Sequence, residues 1–170
     1  MFLDFANWLE TTSVSLVIQT VTWVIPLVQS IHIVTLAVVY ISVAMITARI
    51  FGLVREQDSL AEVVQRFLPS VWIGLVVMAV TGGLLVIGEP VRQFTALSFW
   101  LKMGLLAALL VSGAIFGRVL ASAGSHAAPT GGIKSIAAVT ILLWTCLIYL
   151  GRAIAYDVEV WGSLSLTQGV

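Results

Sequence analysis

Apolar residues run along this chain in long blocks, and the short polar interruptions between them define the elements. Residues 2–10 (FLDFANWLE) place Phe2, Phe5, Trp8 and Leu9 at helical spacing, with Asp4, Asn7 and Glu10 on the other side. That pattern predicts a short helix lying on a membrane surface with an aromatic face. Residues 13–25 are apolar but interrupted by Gln19, Thr20 and Thr22, and they stop at Pro26. The stretch is too short to span, so 2–25 reads as interfacial and re-entrant. Pro26 suits the first turn of a helix, and the first span is expected over 26–50. Residues 54–67 carry Leu60, Val63, Val64 and Phe67 on one stripe, which predicts an interfacial connector ended by Pro69. Further spans are expected over 70–88, closed by Glu89-Pro90, then 97–120 and 133–156. The Ala/Ser/Gly/Pro-rich stretch 121–132 reads as a loop, and Trp161 as an interfacial anchor for the tail. The expected architecture is all-α, an up-and-down four-helix bundle with short N-terminal interfacial helices, one membrane domain over 1–170.

Composition narrows the class. Of the 170 residues, 60% are hydrophobic and 9% charged, against roughly 25% charged in a soluble domain. So few charges cannot clothe a water-soluble surface. The formal net charge is zero, which leaves no basic field for nucleic acid. One cysteine excludes a disulfide framework, a four-cysteine zinc site and a cysteine-ligated iron–sulfur cluster. The opening MFLDFANWLE has no Lys or Arg, unlike the basic start of a signal peptide, and reads as part of the mature protein. Arg49, Arg55, Arg66, Arg118 and Lys134 fall on the connector side of a four-span protein, and Arg92, Lys102 and Arg152 on the other. By the positive-inside rule both termini face away from the cytoplasm. Gly113 and Gly117, with Gly104, Ala108 and Ser112, form a small-residue stripe in the third span, read as a helix-packing surface.

Ionisable groups inside the bilayer cost about 2.5–3.5 kcal/mol each on insertion scales and ask for a reason. His32 lies roughly 9 Å from Pro26, Lys102 roughly 7 Å from Leu97 and Arg152 roughly 6 Å from Tyr156, at 1.5 Å per helical residue. In an up-and-down bundle these three ends share one side, so the imidazole and both cations are expected at one depth. A neutral imidazole suits axial ligation of haem iron, and Lys102 and Arg152 suit the propionates. Tyr156, one turn beyond Arg152, and Gln29, one turn before His32, complete the candidate cofactor site. Trp23, Trp100 and Trp144 are candidates for its wall. With one intramembrane His the sixth position is open, or filled by Met103, Lys102, water or a partner chain. The plain alternatives are a His that hydrogen-bonds across to another helix, and Lys102 and Arg152 snorkelling to the interface. Arg49 reads as a topology anchor, Glu89 as a cap or partner of Arg92, His126 as solvated and Cys146 as a small buried hydrophobe.

The stretches WLETTSVSLVIQTVTWVIPLVQSIHIVTLAVVYISVAMITARIFGL, FLPSVWIGLVVMAVTGGLLV, FWLKMGLLAALL and GRAIAY resemble a family of short bacterial four-span membrane proteins with no assigned activity. More distantly, the chain is similar to the copper-resistance protein D group and the haem-containing membrane protoporphyrinogen oxidases of bacteria. The shared pattern is a His early in a span, an Arg at its far end and a Leu-Lys pair opening a later span, here His32, Arg49 and Lys102. The resemblance implies haem b with His32 as axial ligand and Lys102 needed for function. The further histidines common in those families are absent from these spans. The leading expectation is a b-haem protein of the bacterial inner membrane that transfers electrons, alone or within a larger complex. The alternatives are a subunit without a cofactor that scaffolds other membrane subunits or a homo-oligomer and, third, copper handling. Met1, Met45, Met78 and Met103 are scattered and make a poor copper path.

Overall fold

The computed structural model describes residues 2–123 and 130–165. It is built of helices: α1 (Phe2–Glu10), α2 (Ser13–Thr20), α3 (Val24–Ile50), α4 (Leu60–Gly88), α5 (Pro90–Thr95), α6 (Leu97–Ala123), α7 (Gly131–Ala153) and α8 (Asp157–Trp161). Single 3₁₀ turns follow α7 and α8. Helices α3, α4, α6 and α7 are long and apolar enough to cross a bilayer, and the chain is a multi-pass membrane protein with an all-α four-helix bundle. His126 lies outside the described residues.

Two boundaries differ from expectation. Residues 13–25 are not one segment: α2 ends at Thr20, and Val24 and Ile25 already belong to α3. Residues 54–67 are not a separate connector either. Ser59 caps α4 through a capping box with Glu62, and the helix then runs unbroken through Pro69 to Gly88. Pro69 removes one backbone N–H and crowds the preceding turn. The turns on either side are held by other contacts, as prolines in spanning helices generally are. Val63 and Val64 are buried with Ile46, Ile50, Ile133 and Ala137, and Leu60 and Phe67 pack on the same cluster. The apolar stripe therefore faces protein and not a membrane surface.

The spans are antiparallel in chain order. Thr81 lies against His32, and Gly74 lies against Val39 and Thr35, which fixes the register of α3 on α4. Lys102 lies against Gly151, which fixes α6 on α7. The central core joins Val39, Val43, Met78, Leu109, Trp144 and Leu147. The main packing runs from α4 to α3, from α3 to α7 and from α7 to α6. Helices α4 and α6 make no comparable contact, so the ring of four is open between them. A cleft of about 290 Å³ lies there. The small-residue stripe of α6 departs from its expected packing role: a Cβ at Gly104, Gly113 or Gly117 would meet nothing within 4 Å.

The end carrying the termini is closed by the short helices. Ser15 donates to the Ile87 carbonyl at 2.6 Å, and Ile18 and Ile25 rest on Gly88. Phe2, Phe5, Phe94, Phe99 and Trp100 form an edge-to-face aromatic network in geometries aromatic rings favour. Arg92 donates to both oxygens of Glu89 at 2.9 Å.

Candidate functional site

The site begins with the glycine-flanked face of α4. His32, half-buried on α3, lays its ring over Gly82: a Cβ there would come within 3.4 Å of the imidazole Cε1. Its Nδ1 is 2.8 Å from Thr81 Oγ1. Thr81 donates its own hydroxyl proton to the Val77 carbonyl at 2.8 Å, so Oγ1 is left to accept from Nδ1–H. That selects the tautomer in which Nε2 carries the lone pair. No described residue takes Nε2. The His therefore does hydrogen-bond across to another helix, and the same bond leaves the other nitrogen ready as a ligand, the usual arrangement behind a metal-bound imidazole.

Lys102 reaches the same layer from α6. Its side chain is half-buried, with Nζ turned toward Gly151 of α7; Tyr40 of α3 meets Thr145 of α7, a register that puts His32 level with Ala153, in the layer of Gly151. No acid or hydrogen-bond acceptor pairs with it among the described residues. An ammonium half-buried without a partner calls for an anion.

The other candidates diverge. Arg152 is exposed, donates to Tyr156 Oη at 3.3 Å and lies over its ring at 5.3 Å. Gln29 is half-buried and Met103 is exposed. Met103 is next to Lys102 in sequence and points about 100° away from it on the helix. The three tryptophans do not form one wall. Trp144 belongs to the central core, Trp100 to the aromatic network, and Trp23 is exposed. Cys146 is exposed, not buried. Arg49 donates Nε–H to the Asp58 carbonyl at 2.9 Å, which ties it to the α3–α4 loop. Among the described residues no three His, Cys, Asp or Glu side chains gather as a metal cage.

One residue that positions the site escaped the sequence reading. Asp157, buried at the start of α8, accepts from the backbone N–H groups of Leu97 and Ser98 at 3.1 and 2.9 Å. Its carboxylate also takes the hydroxyls of Ser98 and Ser165, each at 2.7 Å. It is an N-cap for α6 delivered from 59 residues downstream, satisfying amides that a helix start leaves bare. Trp161 donates to Ser98 Oγ at 2.7 Å, so it ties α8 to the start of α6. Lys102 stands one turn below Ser98 and inherits this placement.

The layer offers one imidazole nitrogen as a donor and one cation. His32 Nε2 is free and oriented by Thr81, and Lys102 supplies an unpaired cation. Arg152 follows Gly151 and so lies at the depth of Lys102, but it is exposed and engaged with Tyr156, and Met103 is exposed. No family model, curated protein or solved structure matches this chain.

Proposed function

We propose that this chain is a b-haem-binding protein of the bacterial inner membrane that passes electrons, alone or as a subunit of a redox complex, with both termini on the periplasmic side. The observation that carries the reading is the pairing of His32, its Nδ1 committed and its Nε2 free, with the unpaired Lys102 ammonium from another helix. His32 would hold the iron and Lys102 a propionate; Thr81 orients the imidazole, and Gly82 and Gly151 leave room for the two side chains. Bound haem supplies one-electron redox chemistry; the chain supplies the ligand, the counter-charge and exclusion of water. The distant resemblance to haem-containing membrane oxidases supports the same choice.

The test is a reduced-minus-oxidised visible spectrum of detergent-purified protein, with a pyridine haemochrome assay for stoichiometry. The expected result is one haem b per chain, lost in His32→Ala while the variant still inserts. Full haem content in His32→Ala removes His32 as the ligand. A second reading, a subunit without its own cofactor, is favoured by α6. Only 11% of its most apolar window is buried, against 28% for α3 and α4, and a Cβ on Gly104 would meet nothing within 4 Å. That reading predicts a colourless chain that copurifies with stoichiometric protein partners.

A further inference from the structure

The cleft between α4 and α6 lies at the opposite end from His32. It is walled by Leu68, Trp72 and Leu75 of α4 and by Leu110, Gly113 and Gly117 of α6, with Thr140 and Trp144 of α7 at its floor. Thr140 spends its hydroxyl proton on the Ile136 carbonyl at 2.8 Å, so the lining offers almost nothing polar. From Val64 to Leu75 on α4, and from Leu106 to Gly117 on α6, the cleft runs about 16 Å at 1.5 Å per residue. A volume of about 290 Å³ is spread along that length as an elongated slot. Its length and apolar lining suit an extended hydrocarbon chain. The slot opens sideways at bilayer depth, where only lipid-soluble matter can enter.

The connector end of the slot is cationic. The register that sets Lys102 against Gly151 puts Arg118 level with Lys134 and Ser135. Arg118 directly follows Gly117, and Lys134 precedes Ala137, another lining residue, by one turn. Both cations are exposed, and no acid pairs with either among the described residues. Basic residues at the bilayer surface attract anionic headgroups.

We propose that the α4–α6 cleft holds one acyl chain of an anionic phospholipid whose phosphate sits between Arg118 and Lys134. The lipid completes the wall that α4 and α6 leave open. This site is independent of the haem reading, and its success or failure leaves that reading untouched.

The test is native mass spectrometry of the full chain. The protein is equilibrated with mixed micelles of detergent, phosphatidylglycerol and phosphatidylcholine of equal chain length, then stripped with excess detergent. The expected result is one retained phosphatidylglycerol per chain, preferred about tenfold over phosphatidylcholine (about 1.4 kcal/mol). Gly113→Leu/Gly117→Leu should fill the slot and abolish retention. Among the described residues a Cβ at either position would meet nothing within 4 Å, so folding is expected to survive. Arg118→Gln/Lys134→Gln should keep chain occupancy but erase the headgroup preference. Should the leucine variant fail to fold, quenching of the wild type decides. Dibromostearoyl phosphatidylglycerol should quench the emission component lost in Trp144→Phe, because Trp144 is buried and lines the slot. Equal retention of both lipids, lipid retained by a folded leucine variant, an unquenched Trp144, or a copurified polyisoprenoid in place of phospholipid each overturns the proposal.

Discussion

The two ends of this bundle solve opposite problems. At the end carrying the termini, polar groups are brought inside and answered one by one: His32 by Thr81, Ser15 by a helix carbonyl, and the first amides of α6 by Asp157. At the connector end almost nothing polar enters, and the helices α4 and α6 part around an apolar slot. In a bilayer, apolar surface facing lipid costs little because lipid tails are as apolar as leucine. Helix association there rests on packing and hydrogen bonds. The polar end is therefore the end that fixes helix positions, and the apolar end is free to leave a gap. A residue's worth should depend on which end it occupies more than on how hydrophobic it is.

The hardest blow to that contrast is Asp157→Ala. It strips a buried four-bond acceptor and leaves two backbone amides of α6 bare. Hydrogen bonds to a charged group each contribute about 1.5–3 kcal/mol, so a loss of about 3 kcal/mol is expected. Thermal unfolding in detergent, followed by helical circular dichroism, reads it, and Asp157→Asn should recover part of the loss through its remaining carbonyl oxygen. An unchanged melting temperature would remove the polar end as the organiser of the fold.

Glycines sharpen the comparison next. A Cβ on Gly74 would run into Val39, so Gly74→Ala is expected to cost about 2 kcal/mol, the usual scale for overpacking. The melting temperature of that single variant checks the α3–α4 register. Lys102→Met should act in the other direction. Removing an unpaired intramembrane cation is expected to stabilise the cofactor-free fold by about 1.5 kcal/mol, a fraction of the insertion cost of a charge, while lowering haem retention. Unfolding of the haem-free protein and haem per chain after purification are the two readouts. If both quantities fall together, Lys102 is structural. The smallest effect is Gly113→Ala, which meets empty space. It should raise stability by about 0.5–1 kcal/mol through the backbone entropy of glycine, opposite in sign to Gly74→Ala.

Much of the scaffold was legible in the chain because spanning helices are local objects. An apolar run of twenty or so residues implies a span wherever its neighbours go, and α3, α6 and α7 fall close to where the blocks of Val, Ile and Leu put them. Pro69 misled because its penalty is local while the contacts that offset it come from Ile46, Ile50 and Ile133 on two other helices. The glycines of α6 misled for the converse reason. Their spacing says a close approach is allowed, and no local rule says whether a neighbour takes it. In the candidate site, His32 and Lys102 stand out by type alone, since neither belongs in hydrocarbon without cause. Thr81 carries no such flag: one more threonine in an apolar helix looks like its neighbours until His32 is laid against it. Asp157 was hidden by distance along the chain and by resembling an ordinary acidic residue at the end of a span. A cue did exist: a helix opening Leu97-Ser98 needs a cap, and no acid immediately precedes it.

That remote cap has a consequence for how the molecule comes into being. Helix α6 is made, and its first turn set in place, while the carboxylate that will satisfy its amides is still 59 residues from being synthesised. Until then the first turn of α6 is free to fray or slide, and Lys102 with it. The order of assembly is thus written into the fold: the first turn of α6 is fixed only after Asp157 docks, so the layer containing His32 and Lys102 is completed after the last span has been inserted and not during it.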